Sequence, residues 1–263
     1  MNRAGAAVAL AAALVGVVHT PAVGAQDVDL GRLLADAKRV QQNDLAAWQR
    51  YRFQREVVRR SLDAQLRETK REDLWFIVRP KPDGHGFDEQ LVLIDGKVPS
   101  ERLREEHHEA ARFTKHYLRA LEPGDEFDAD ADPIVHLWDA EHYDYAGRET
   151  IDGVPCHRVE MRASAEPVEG ALGVRLAAAT AGTLWLAVDG LRIVRSQSRL
   201  ARDVRLALGL GTLSRFDVRL QTVELPDGAR LPAEISVASH VSVLGTTIRK
   251  SNLYRYSRFA LEE

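Results

Sequence analysis

His107, His108 and His116 crowd one stretch that reads as a helix, and helical histidines are the raw material of a zinc site. A His-Glu-x-x-His arrangement starting at His108 needs its second ligand at position 112, which is Arg112, so zinc chemistry of that type is excluded. His136, Asp139 and His142 carry suitable ligand atoms at a spacing that matches no standard metal site, so structural roles are expected for them. Asp128, Asp130 and Asp132 alternate like the opening ligands of a calcium loop. Pro133 stands where that loop needs Gly to turn, and Asp139 stands where a bidentate Glu closes it. A solvated acidic loop is the expectation.

Cys156 and His157 are the types of a thiolate–imidazole pair, but neighbours on a strand point to opposite faces. A packed strand cysteine is expected, and as the single cysteine it can form no intrachain disulfide. Gly84-x-Gly86 and Gly209-x-Gly211 lack the third glycine of a dinucleotide fingerprint and read better as turns. Serine-hydrolase elbows and phosphate loops are missing, and no carboxylate pair stands out among the 39 acids. These residues support no enzyme, no cofactor and no metal.

The elements around them are strands. Five Asp-Gly pairs, at residues 83, 95, 152, 189 and 227, supply the left-handed positions of tight hairpin turns. Strands are expected from Trp48 onward in an imperfect two-residue rhythm, over Leu74–Val78 and Leu91–Ile94, which are apolar on both faces, and nearly throughout from Tyr143. Phe216, Val218 and Leu220 alternate with Asp217, Arg219 and Gln221 as a half-buried strand does. Two amphipathic helices are predicted. Asp29–Gln42 carries Leu30, Leu33, Leu34, Ala37 and Val40, with Asp27 or Asp29 as cap; Ser100–Leu121 carries Leu103, His107, Ala110, Thr114, Tyr117 and Leu118. Glu166–Ala181 shows neither period and reads as a loop crossing the sheet. The expected fold is α+β: a strongly curved antiparallel sheet of about ten strands, an unclosed β-barrel, with helices covering the concave face.

Arg3 followed by the apolar run Ala4–Val18 and the small-residue pattern Val23-Gly24-Ala25 reads as an export signal cleaved near Ala25, shorter than the roughly 20 residues of a spanning helix. A single domain over residues 26–263 in the periplasm or secreted is expected. Without Arg3, 35 basic residues face 39 acidic ones, which disfavours nucleic acid as a partner. Thirty of the full chain's 36 basic residues are Arg, scattered through every segment as a general bias would scatter them.

Three stretches carry a resemblance: Tyr145–Glu160 (YAGRETIDGVPCHRVE), Gly182–Arg195 (GTLWLAVDGLRIVR) and the Asp-Gly-x-x-x-Pro hairpin within Val223–Pro232. In layout and hairpin phrasing the chain resembles the outer-membrane lipoprotein-sorting (LolA-like) family. That resemblance implies a half-barrel whose concave face holds acyl chains, with no catalytic residues. The partners expected are lipid or lipoprotein acyl chains, with an envelope protein as the alternative. The residues expected to line the cavity are Trp75, Ile77, Leu91, Leu93, Trp185, Phe216 and Val218, with Leu103, Tyr117 and Leu118 from the covering helix. A third reading, a hydrolase assembled from scattered residues, requires His136, His142 or an acid pair to converge in a cleft.

Overall fold

The computed structural model describes residues 28–82, 86–107, 142–169, 172–206 and 211–262. The export segment, Asp83-Gly84, the acidic loop, His136, Asp139, Tyr117 and Leu118 lie outside the described residues.

Turn chemistry sets the topology. Asp152 and Gly153 adopt φ of 51° and 83°, and Asp95 and Gly96 adopt 49° and 76°, the paired left-handed positions that Asp-Gly supplies most cheaply. The first turn joins β4 (His142–Ile151) to β5 (Val154–Arg162) with no residue to spare, Ile151 pairing Val154. The second closes β3 (Phe87–Ile94) on a single bridge, Ile94 to Lys97. Leu244 and Gly245 make an equivalent turn, with φ of 48° and 80°, between β10 (Arg230–Val243) and β11 (Thr246–Leu261).

The remaining strands are β1 (Tyr51–Leu62), β2 (Glu68–Pro80), β6 (Thr180–Ala187), β7 (Ile193–Leu200), the short β8 (Val204–Arg205) and β9 (Gly211–Glu224). All pair antiparallel in one sheet, ordered β3-β2-β1-β11-β10-β9-β7-β6-β5-β4, with β8 beside β9. The first and last strands therefore zip together in mid-sheet, Tyr51 opposite Leu261 through Leu62 opposite Arg249. The outer strands β3 and β4 do not pair with each other, so the curved sheet stays unclosed, and the chain passes from one edge to the other between Ile94 and His142.

Helix α1 (Leu30–Trp48) starts where expected, the Asp29 carboxylate accepting from the Arg32 N–H at 3.0 Å, and runs six residues past Gln42. Asp44, Leu45 and Trp48 prolong its buried face. Residues 101–107 are helical (α2), beginning after Ser100, whose hydroxyl accepts from the Leu103 N–H at 3.4 Å.

The crossing loop is a correction. Residues Leu172–Ala179 form a helix, α3. Its last four residues, Leu176, Ala177, Ala178 and Ala179, are all buried while Val174 is exposed, so the last turn, buried all round, has no polar face to mark a period. Leu176 and Ala179 pack on Val204 and Leu213.

Candidate functional site

Helix α1 lies on the concave face. Leu33 and Ala37 pack into one cluster with Val159 and Met161 of β5, Leu184 and Leu186 of β6, Ile193 of β7, Val218 and Leu220 of β9, and Ile235 of β10. Its C-terminal half is pinned by a charge pair, buried Asp44 with Arg192 Nε at 3.1 Å. Burial raises the Asp44 pKa and the Arg192 charge opposes it. The cavity beneath, bounded by Gln41, Asp44, Trp48, Leu220 and Arg230, holds about 20 Å³, room for a single water. No acyl chain fits under α1.

The other half of the concave face belongs to β11, β1, β2 and β3. Val57, Leu74 and Leu91 are buried there, with Phe76, Ile94 and Tyr254 packed against them. One end is walled by rings: Trp48, Phe87, Tyr256 and Phe259 surround Phe53 at centroid distances of 5.5–5.8 Å. Between wall and floor sits Arg55, whose guanidinium carbon lies 4.8 Å from the Phe76 ring centroid and whose Nη2 donates to Glu89 of β3. Desolvation works against that charge, and Glu89 more than restores it, so the Arg55 pKa is held above its ordinary value.

The opposite end of the same half is polar. Alternation from Val57, Leu74 and Tyr254 puts Arg59, Ser61, Glu72, Lys70, Asn252 and Lys250 on the concave side. Glu72 reaches Arg59 Nη1 at 3.5 Å and His107 Nε2 of α2 at 3.8 Å.

The residues predicted to line a cavity do not share one face. Leu91, Phe216 and Val218 are on the concave side, Val218 beneath α1 and Phe216 between α1 and α3. Trp75 pairs Leu93 and Glu56, and Ile77 pairs Gln90 and Gln54, so Trp75, Ile77 and Leu93 stand on the outer face. Leu91 and Leu93 separate because β3 bulges between their partners Phe76 and Trp75, reversing the side-chain phase. Trp185 is also outward, in a cluster with Cys156, Ile151 and Val194, its indole N–H donating to Glu149 at 2.9 Å. Leu103 of α2 is 37% exposed.

That outer face explains the arginines. Arg158, Arg195, Arg215 and Arg255 stand there paired with Glu160, Asp152, Asp217 and the couple Glu56 and Glu234. A strand side turned to water needs solvated residues, and Arg also covers the apolar sheet with its methylene stem.

Cys156 and His157 do go to opposite faces. The buried thiol donates to the Val154 carbonyl at 3.3 Å, and burial pushes its pKa up, away from thiolate chemistry. His157 Nδ1 meets the Tyr145 hydroxyl at 3.1 Å on the α1 side. Among the described residues no three His, Cys, Asp or Glu side chains gather as a metal site. At the hairpin tips a cleft of about 410 Å³ is bounded by Pro155, Asp189, Arg192, Glu224 and Arg230; its two arginines are engaged with Asp44 and Glu224.

No protein-family model and no curated protein matches the chain. Among solved structures it is similar to a DUF1329 family protein from Desulfovibrio piger, 12% identical over 88% of this chain and 92% of that one, TM-score 0.36. It is also similar to an outer membrane lipoprotein-sorting protein domain from Vibrio parahaemolyticus, 10% identical over 86% and 93%, TM-score 0.36. A third is the lipoprotein LppX of Mycobacterium tuberculosis, 13% identical over 87% and 95%, TM-score 0.31. The second carries the family name that the hairpin phrasing suggested. At such scores none of them bears on what this chain does, and the unclosed sheet stands on its own strand pairings.

Proposed function

We propose that this is an exported, non-enzymatic binding protein that holds lipid or lipoprotein acyl chains on the concave face of β11, β1, β2 and β3. The observation that carries the reading is the apolar floor beside the α1 cluster, where Val57, Leu74 and Leu91 are buried and Phe76, Ile94 and Tyr254 are half-buried. Burying an acyl chain gains about 0.8 kcal/mol per methylene, so such a site needs shape and no chemical motif. Leu103, Tyr117 and Leu118 of the predicted covering helix belong to the same proposal, as does export to the periplasm. The test is organic extraction of the purified protein followed by lipid mass spectrometry. Reproducible acyl lipid supports the reading; empty protein that also ignores fluorescent fatty acids ends it.

A second reading has its own observation. Trp75, Ile77 and Leu93 stand together with Leu253 on the outer face, half-buried, and the α1 half of the trough is filled. An envelope protein docking on that outer patch is the competing use of the sheet. Cross-linking at position 75 to a partner protein, with no lipid bound, would favour it.

A further inference from the structure

The polar end of the trough presents two exposed lysines. Lys70 of β2 and Lys250 of β11 flank Ser61 of β1 in register, and both lysines are exposed on the concave side. Among the described residues neither makes an ion pair, whereas in the next row Arg59 shares Glu72 with His107. Ser239 of β10 pairs Lys250, and Asn252 pairs Arg59, so hydroxyl and amide donors alternate with the cations. The row ends on either side against helices: Glu72 meets α2, and Phe216, opposite Ser239, packs against the α3 cluster. The apolar floor begins two rows inward, at Val57, Leu74 and Tyr254, beyond the row of Arg59, Glu72 and Asn252.

We infer that the trough selects amphiphiles with a compact anionic head, the tail lying on the apolar floor and the head at the Lys70–Lys250 row. This rests on the acyl-chain reading above and narrows it, because the lipidated end of a lipoprotein offers no such anion. A carboxylate and a phosphate monoester share the required chemistry: acceptor oxygens with negative charge at the water boundary, where ammonium groups keep their hydration on one side. The charged row is open to water, so attraction there is screened by salt, while tail burial is not.

The test uses the full exported chain and three probes of one tail length: hexadecanoate, hexadecyl phosphate and hexadecanol. The expected result is roughly tenfold tighter binding of one or both anions than of the alcohol at low salt, the gap closing at about 1 M salt. In Lys70→Ser/Lys250→Ser the ratio of anion to alcohol affinity falls toward one; both positions are exposed and folding is checked by circular dichroism. Preference between carboxylate and phosphate tells a fatty acid from a phospholipid-type head. Equal affinity for acid and alcohol in the unaltered protein, or an unchanged ratio in the double variant, overturns the headgroup inference and leaves the acyl reading standing. Binding of none of the three overturns both.

Discussion

Asp44 of α1 and Arg192 of the β6–β7 hairpin meet at 3.1 Å, and this pair pins the C-terminal half of α1 to the sheet. It holds the C-terminal half of α1 over β7, β9 and β10, with Trp48 reaching Phe53 of β1 and Phe87 of β3. The pair is lopsided, since the Asp44 side chain is 10% exposed and that of Arg192 35%. Arg192→Ala should cost about 1–3 kcal/mol, less than for a fully buried pair, because it strands a desolvated carboxylate. Urea unfolding measures it, and Asp44→Leu/Arg192→Leu should cost less than the single change.

Acid should weaken the protein through its histidines. Burial, then the Arg148 charge, holds the His157 pKa below its ordinary value; burial, Arg215 and Arg249 do the same at His240. The unfolded chain takes up protons near pH 6.5, where the folded chain resists, so stability is full above that pH and declines as pH falls through it. Asp44 acts in the opposite sense, its raised pKa giving stability that is lost as pH rises through the carboxylate range. Thermal unfolding at about pH 7.5 and 5.5 should show a lower Tm in acid, with a smaller drop in His157→Gln.

The turns were legible because Asp-Gly has one low-energy use between strands, and residues 95–96 and 152–153 take it. The start of α1 was legible because Asp29 and a leucine stripe each say the same thing. Faces were not legible over Leu74–Val78 and Leu91–Ile94, where every position is apolar and the β3 bulge, invisible in composition, sets the phase. Nor was α3, whose alanines pack on every side. The charged row of Lys70, Ser61 and Lys250 was hidden for another reason: its members come from three strands, and only register brings them together.

Gly182 marks a close approach of β6 to β7. A Cβ there would collide with the Gln197 carbonyl oxygen and stand 2.9 Å from the Ser198 Cα, both backbone atoms that cannot yield cheaply. Gly182→Ala should cost roughly 2 kcal/mol or more, as overpacking does. Gly153→Ala meets open space and bears only the left-handed backbone penalty of about 1 kcal/mol. Denaturant midpoints of the two variants should rank in that order.

Phe53 should be the most sensitive ring. It contacts Trp48, Phe87, Tyr256 and Phe259, joining α1, β1, β3 and β11 at one point, and is 3% exposed. Phe53→Ala should cost about 3–5 kcal/mol. Chemical unfolding followed by Trp fluorescence reports it, since Trp48 lies against that ring.

Phe76 and Trp75 are adjacent in sequence and face opposite sides of the sheet, which makes them the sharpest probe of the proposed acyl-chain site. A fluorescent fatty acid titrated into the unaltered protein, Phe76→Ser and Trp75→Ser tests the central claim most directly. Saturable binding near one chain per protein, weakened at least roughly tenfold more by Phe76→Ser than by Trp75→Ser, is the predicted result. Binding that is absent, or that depends on Trp75 rather than Phe76, would contradict it.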